Sequence, residues 1–221
     1  MLERKLRYLQ LAFNYDIAHA VTTIGRIPQS DRILIEAGTP FIKREGLRGI
    51  ERLAYYRPGR VVADYKVADG AASEVAMAAS AGASAVTALG SSPRETLLIF
   101  VDECARLGVV SMIDMLGVEE PMRVLRGLRR SPDCVIIHKG RDEERTRGKL
   151  IQYKHINKIK SKYDVLISAA GGIDLRESRS AIFNGADIVV VNLVESGAGL
   201  TGIDTASDIG TVCKQFLDTI S

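Results

Sequence analysis

The chain has 221 residues, 46% of them hydrophobic and 26% charged, and its 30 Lys and Arg residues nearly balance 27 Asp and Glu residues, which leaves a net charge of +3. This composition is typical of a globular protein with a buried core, and the interspersed charges argue against a nucleic-acid-binding surface. We also expect a cytoplasmic protein without a membrane anchor. No apolar run approaches the roughly 18 residues of a membrane span, the N-terminal segment lacks a signal-peptide core, and the 3 cysteines are scattered.

Eight short runs rich in Val, Ile, Leu and Ala recur along the chain at even intervals. Each run is almost continuously apolar, which is typical of parallel strands that are covered on both faces. The predicted strands are 8–14, 32–38, 60–66, 84–90, 109–115, 134–140, 164–171 and 186–193.

Helices are predicted between these strands. Asp16 can cap the first helix and Asp174 the seventh, because a short polar side chain can bind the free N–H groups of a first turn. A single helix is predicted within 40–58, after the second strand. The basic runs 126–130 and 154–162 are typical of solvated helix faces.

Eight strand–helix units without an intervening linker predict one α/β domain over residues 1–221, a (β/α)₈ TIM barrel. A doubly wound open sheet is the alternative, but eight evenly spaced units favour a closed barrel. Active sites of such barrels lie at the C-terminal ends of the strands. The residues that reach this end and could form a site are Asn14, Glu36, Asp64, Lys66, Asp69, Asp114, His138, Arg141, Gly171, Gly172 and Asn192.

The charged residues at the end of the third strand carry the most information. Strand alternation directs Asp64 and Lys66 to the same side, toward the barrel mouth, and Tyr65 to the other. Glu36 ends the neighbouring strand and is expected about 5 Å from Asp64 across the ladder. Two carboxylates with one lysine between them could hold Mg²⁺ with water and substrate oxygens. A metal-free Glu–Lys–Asp network explains the spacing equally well.

His138 ends a buried strand at the same rim, and the ordinary pKa of a histidine suits proton transfer. Arg141 follows three residues later and could hold an anionic group or orient the histidine. His19 and His155 are interpreted as ordinary helix residues. The Gly171–Gly172 pair lies between a strand and a helix, where backbone amides could bind a phosphate, although a tight turn needs glycine as well.

These motifs resemble the orotidine-5′-phosphate decarboxylase superfamily, whose mark is D-x-K-x-x-D at the end of the third strand, here Asp64, Lys66 and Asp69. The resemblance extends through IEAGTPFIKREG at 35–46, EVAMAASAGASAVTALG at 74–90 and ISAAGGID at 167–174. It is nearest to the sugar-phosphate branch, which contains 3-hexulose-6-phosphate synthase and 3-keto-L-gulonate-6-phosphate decarboxylase. The orotidylate decarboxylases have a lysine where Glu36 stands and need no metal.

The resemblance implies a role for each matching residue. Glu36 and Asp64 would bind Mg²⁺, which chelates two oxygens of the substrate and of an enediolate intermediate, and Lys66 would stabilise that enediolate. Asp69 would reach into the site of the other subunit, so that a homodimer is expected. His138 would move protons, and Arg141 would assist it. An enediolate carries charge on two adjacent oxygens, which a dication and an ammonium group stabilise well.

Two departures from the family pattern concern the substrate. Asn14 stands where the family usually has an aspartate on the first strand, so a substrate-hydroxyl acceptor has lost its charge. Asn192 and Leu193 stand where a Gly-Arg pair normally binds the substrate phosphate. Losing that arginine removes a contact worth about 1.5–3 kcal/mol unless Lys139 or Arg141 replaces it.

The motifs favour two related reactions. The fifth strand with Asp114 looks like that of hexulose-phosphate synthases, and we predict an aldol addition in which ribulose 5-phosphate and formaldehyde give 3-hexulose 6-phosphate. His138-x-x-Arg141 followed by Asp142 looks like the gulonate-phosphate decarboxylases, so decarboxylation of a β-keto sugar-acid phosphate is the alternative. Decarboxylation of orotidine 5′-phosphate is a further alternative, against which Glu36 argues. A ligand-binding or regulatory barrel without turnover is the alternative from another class, but five ionisable residues on one rim speak against it.

Overall fold

A computed structural model of the chain describes residues 2–144 and 150–221. Strands β1 to β8 follow one another in parallel around a closed barrel, and β8 pairs back to β1. The strands are β1 Tyr8–Phe13, β2 Ile33–Ala37, β3 Val61–Val67, β4 Ala85–Leu89, β5 Val110–Asp114, β6 Cys134–His138, β7 Leu166–Ala170, β8 Ile188–Val194 and a short β9 Ile203–Asp204. The predicted (β/α)₈ TIM barrel is confirmed, and the sequence analysis missed only β9 among these strands.

Helices surround the strands. They are α1 Ile17–Ile24, α2 Thr39–Glu45, α3 Leu47–Tyr56, α4 Ala71–Ser80, α5 Arg94–Leu107, α6 Pro121–Arg126, α7 Arg141–Glu144, α8 Ile156–Lys160, α9 Leu175–Phe183 and α10 Ile209–Thr219, with a 3₁₀ turn at Tyr153–His155. Across 2–144 and 150–221, none of the helices combines the length and apolar character needed to cross a bilayer.

The barrel wall separates two apolar clusters. Side chains such as Tyr8, Leu34, Val62 and Met112 fill the inside, and a larger cluster packs between the strands and the helices. Both faces of each strand are therefore covered, which explains why the strand sequences are apolar throughout. Toward the C-terminal ends of the strands the side chains that point into the barrel become polar. These polar side chains form the floor of a cavity.

Both predicted helix caps are present. The Asp16 carboxylate accepts a hydrogen bond from the His19 N–H at 2.8 Å, and the Asp174 carboxylate accepts one from the Glu177 N–H at 2.7 Å. Each cap binds an N–H group that has no partner within its own helix, which fixes where α1 and α9 begin.

Three helix predictions need correction. The segment 40–58 holds two helices, because Gly46 with φ of +60° interrupts the chain between α2 and α3. The basic run 126–130 lies almost wholly beyond α6, which ends at Arg126. His155 ends a 3₁₀ turn and lies just before α8.

The register of β3 also differs from the prediction. Glu36 lies opposite Val62, so Asp64 is its diagonal neighbour and not its direct partner. On the other side, the pairing with β4 passes from Ala63–Val86 to Val67–Ala88, so β3 advances four residues where β4 advances two. The strand is therefore irregular at the residues that carry the D-x-K motif.

Candidate active site

A cavity of about 450 Å³ opens at the C-terminal ends of the strands. Residues from every barrel strand or from the loop that follows it line this cavity. Of the residues predicted for a site, those that line it are Asn14, Glu36, Asp64, Lys66, Asp114, His138, Arg141, Gly171 and Asn192. Asp69 and Gly172 do not line it: Asp69 is exposed beyond the end of β3, and Gly172 lies one residue past the rim.

The Lys66 ammonium group is held between two carboxylates at the cavity floor. Its Nζ lies 2.9 and 2.8 Å from the two Asp64 oxygens and 2.9 Å from Asp114 Oδ2. Burial works against the charged form, but the two carboxylates raise the pKa of Lys66 above its ordinary value. The lysine therefore stays protonated, as a fixed positive charge facing the cavity.

The backbone of Lys66 adopts an uncommon conformation. Its φ of +51° lies in the left-handed region, which costs a non-glycine residue about 1–2 kcal/mol. Thr87 on β4 supports this conformation, since its Oγ1 accepts a hydrogen bond from the Lys66 N–H at 2.9 Å and donates one to Asp64 Oδ1 at 2.8 Å. Thr39 donates to the other carboxylate oxygen of Asp64 at 2.7 Å.

Thr87 and Thr39 were missed by the sequence analysis. Thr87 is the one polar residue in the run AVTAL of β4, which was an available signal. Thr39 carried no signal of this kind, because threonine is common at the start of a helix.

Asp114 connects Lys66 to His138. It is 1% exposed, and its Oδ2 lies 2.8 Å from His138 Nδ1. Burial acts to raise the pKa of Asp114, but the charges and hydrogen bonds of His138 and Lys66 outweigh it and lower the pKa to about 2. Conversely, burial acts to lower the pKa of His138, and Asp114 raises it above 6.5. Asp114, which was predicted to be part of the site, therefore orients two other cavity residues, Lys66 and His138.

Glu36 lies on the other side of Asp64 in a different electrostatic environment. Burial and the charge of Asp64 raise the pKa of Glu36 from 4.5 to about 7, although Gln10 donates a hydrogen bond to its Oε2 at 2.6 Å. Gln10, also missed, is the one polar residue in the strand YLQLAF. Its Oε1 is buried and has no hydrogen-bond partner within the described chain.

These oxygen atoms fit a hard divalent cation. Glu36 and Asp64 supply two carboxylates whose mutual repulsion a positive ion would relieve, and the orphaned Gln10 Oε1 is a further oxygen donor beside them. Residues 2–144 and 150–221 contain no group of three or more His, Cys, Asp and Glu side chains arranged to hold a metal. The remaining ligands would be water and substrate oxygens, as is common for Mg²⁺.

Asn14 and Asn192 form a pair at the rim. Asn14 Nδ2 donates to Asn192 Oδ1 at 3.1 Å, and Asn192 Nδ2 donates to the Thr201 carbonyl oxygen at 3.3 Å. Two of the positions that depart from the family pattern, Asn14 and Asn192, are thus bonded to each other, and the third, Leu193, is buried in the larger apolar cluster. The two asparagines present neutral amides to the cavity and no charged group.

Gly171 follows β7 in a position that only glycine can occupy. Its φ is +104°, and a Cβ atom there would lie 2.0 Å from the Lys139 carbonyl oxygen. The chain after β7 therefore lies directly against the chain after β6. At the next helix, the Asp174 cap already binds the Glu177 N–H, so this amide is not available to a ligand.

Comparisons with known proteins agree with this architecture. The sequence profile of the Orotidine 5′-phosphate decarboxylase / HUMPS family matches residues 7–192. A bifunctional enzyme Fae/Hps of Methanothrix thermoacetophila is 36% identical over 96% of the chain and 52% of the relative, so the chain spans about half the length of this curated protein.

Two solved structures of 3-hexulose-6-phosphate synthase are also similar. The one from Salmonella typhimurium is 25% identical with a TM-score of 0.80 and covers 96% of this chain and 98% of that chain. A second synthase structure is 27% identical with a TM-score of 0.80, and the match covers 97% of this chain and 100% of that chain.

Proposed function

The chain belongs to the orotidine 5′-phosphate decarboxylase / HUMPS family, and from this premise we propose that it is a Mg²⁺-dependent lyase of the 3-hexulose-6-phosphate synthase type. The proposed reaction joins ribulose 5-phosphate to formaldehyde and gives 3-hexulose 6-phosphate. The names of the Fae/Hps relative and of the two synthase structures support this reaction over others of the family.

The observation that carries the proposal is the row of linked charges Asp64–Lys66–Asp114–His138 at the cavity floor, in which the two carboxylates are buried and the two cations are partly buried. Such a row is costly to bury unless its members do chemistry or hold one another in place. Asp114 holds the Lys66 ammonium group close to the His138 imidazole. It contacts His138 through Nδ1, and this contact fixes the orientation of the ring and therefore of Nε2. An aldol addition needs these two groups, one for a developing oxyanion and one for a proton.

The proton and electron balance of the reaction fits these residues. The C1 proton of ribulose 5-phosphate leaves to a base, and the electron pair forms the new bond to the formaldehyde carbon. The formaldehyde oxygen then takes up a proton. We assign both proton transfers to His138, because its bond to Asp114 raises its basicity. Lys66 donates to the oxygens that carry the negative charge between the two steps.

Glu36 and Asp64 are proposed to hold Mg²⁺. When bound, the ion supplies Lewis-acid stabilisation to neighbouring substrate oxygens. Gln10 keeps Glu36 in place through its amide, and Thr39 and Thr87 fix the Asp64 carboxylate from both sides. Asn14 and Asn192 would bind substrate hydroxyls, and the amides at Gly171 and Gly172 would bind the phosphate.

A homodimer with Asp69 donated across the interface is also proposed, since Asp69 is exposed and outside the cavity of its own subunit. Mixing Lys66→Ala with Asp69→Ala protein tests it. Each mixed dimer then has one intact site of two. Random exchange of subunits in an equal mixture makes about half of the dimers mixed, so about a quarter of wild-type activity is restored. If Asp69 acts within its own chain, the mixture stays as inactive as its components.

The proposed chemistry is tested without formaldehyde. The protein is incubated with Mg²⁺ and ribulose 5-phosphate in D₂O, and NMR follows loss of the C1 proton signal. Wild-type protein should exchange this proton, and Lys66→Ala should not, whereas the exposed control Lys5→Ala should behave like wild type. Wild-type exchange by Lys66→Ala would refute the assigned role. Asp64→Asn should weaken Mg²⁺ binding measured by calorimetry.

Decarboxylation of a β-keto sugar-acid phosphate is the second candidate, and Arg141 at the cavity favours it. It shares the enediolate, so proton exchange supports both reactions. Release of CO₂ from 3-keto-L-gulonate 6-phosphate, compared with consumption of formaldehyde, distinguishes them. Absence of exchange together with absence of Mg²⁺ binding would favour a ligand-binding barrel.

A further inference from the structure

The segment after β6 places an acidic side chain over the proposed phosphate site. Helix α7 spans Arg141–Glu144, and Glu144 is its half-buried last described residue. The Glu144 N–H donates to the Gly140 carbonyl oxygen at 2.9 Å, so the turn that leads to Glu144 is hydrogen-bonded. Glu144 lines the cavity together with Gly171.

The Glu144 carboxylate lies against Gly172. A Cβ atom built on Gly172 would be 3.2 Å from both Cδ and Oε2 of Glu144, and the Gly172 N–H is near enough to the carboxylate to favour its charged form and so to act to lower the pKa of Glu144. Gly172 has φ of +65°, and Gly171 leaves no space beside Lys139. The amide is therefore held in place by its own backbone, and the carboxylate reaches it from the facing segment.

The surrounding charges are those that an anion would use. Burial raises the pKa of Glu144, while Lys139, Arg141 and His138 oppose this effect because they favour the charged carboxylate. Lys139 and Arg141 are also the cations that could replace the missing arginine of the phosphate site. Glu144 thus uses both the amide and the positive charges that a phosphate would need.

We propose that Glu144 is a specificity-determining residue that occupies the Gly172 amide with its own carboxylate, so that a phosphate group binds only when this side chain is displaced. This inference rests on the proposed function for the identity of the substrate, but the competition between two anions for one amide is independent of turnover. A phosphate dianion beside an ionised carboxylate is repelled, and the two groups cannot accept the same N–H in full.

Direct binding tests the competition. Calorimetry measures the dissociation constant of inorganic phosphate for wild type, Glu144→Ala and Glu144→Gln at pH 7. We expect Glu144→Ala to tighten binding at least tenfold, because it frees the amide and removes the repulsion. Glu144→Gln should give a smaller gain, because it removes the charge but keeps the shape. Glu51→Ala, an exposed residue of α3, makes the same change in net charge and should leave the constant unchanged.

The results separate the two proposals. Equal or weaker phosphate binding by both Glu144 variants overturns the inference, as does a gain of equal size in Glu51→Ala, which would reflect net charge alone. Absence of phosphate binding in all four proteins also overturns it. Tighter binding by the Glu144 variants without C1 proton exchange in any protein would retain the inference and refute the proposed function.

Discussion

Asp114 gives the sharpest stability prediction, because its carboxylate is 1% exposed and holds two cationic groups. The lowering of its pKa from 3.8 to about 2 corresponds to about 2–3 kcal/mol of favourable interaction at pH 7. Asp114→Asn should therefore lower the free energy of unfolding by about 2–4 kcal/mol, the upper end reflecting cations left without a buried partner.

The sign of the pH dependence follows from the direction of each shift. A lowered carboxylate pKa stabilises the fold above pH 4, and this contribution is lost as the pH falls toward 2. The raised pKa of His138 gives the opposite pH dependence. Its contribution to the free energy of unfolding is complete below pH 6.5 and is lost as the pH rises through the pKa of His138 in the folded state. The difference between wild type and Asp114→Asn should thus be largest between these limits.

Urea denaturation followed by far-UV circular dichroism is suitable, because the chain contains 0 tryptophans. Asp164→Asn is a matched control, since Asp164 is 88% exposed and pairs with Arg4 at 2.6 Å on the surface. Such a pair contributes about 0–1 kcal/mol. If Asp114→Asn were no less stable than this control at pH 7, the proposed energetic role of the buried carboxylate would be refuted.

Three further variants test the site. Gly171→Ala should lower the melting temperature strongly or prevent folding, because its Cβ would lie 2.0 Å from the Lys139 carbonyl oxygen, whereas Gly25→Ala meets no atom within 4 Å and should be neutral. Equal melting temperatures would contradict this. Thr87→Val should cost about 1–3 kcal/mol in chemical denaturation by removing the hydroxyl bonded to Asp64, and Thr87→Ser should recover most of it. A stable valine variant would argue that this hydroxyl is dispensable. Calorimetric Mg²⁺ binding by Asp64→Asn should be weaker than that of wild type, and unchanged affinity would exclude Asp64 as a ligand.

Much of the fold could be predicted because local signals and the tertiary structure agree. The barrel strands are apolar on both faces, so their sequences identify them without knowledge of their neighbours. The caps at Asp16 and Asp174 act within one helical turn and are readable for the same reason. The break at Gly46 is a local glycine cap with hydrogen bonds to Ile42 and Gly49, and this signal was overlooked, whereas the two-residue strand β9 is too short to leave a pattern.

The site was predictable in composition but not in its connections. Strand ends identified Glu36, Asp64 and His138 as neighbours of one rim, and their positions at the cavity agree. The roles of Gln10 and Thr87 arise from hydrogen bonds between strands, which no single strand encodes. The direct pairing of Glu36 with Asp64 was wrong, because register depends on where two strands begin to pair.

The surplus length of β3 relative to β4 bears on attempts to move this motif into other scaffolds. The Lys66 ammonium reaches both carboxylates from a backbone turned into the left-handed region, at the point where the strand pair loses its regular spacing. Copying aspartate and lysine onto a regular strand of another barrel would reproduce the motif sequence but not the left-handed backbone conformation at the lysine. A successful transplant must include the kink, its threonine support on β4 and Asp114 on β5, so the smallest portable unit is the three adjacent strands β3 to β5.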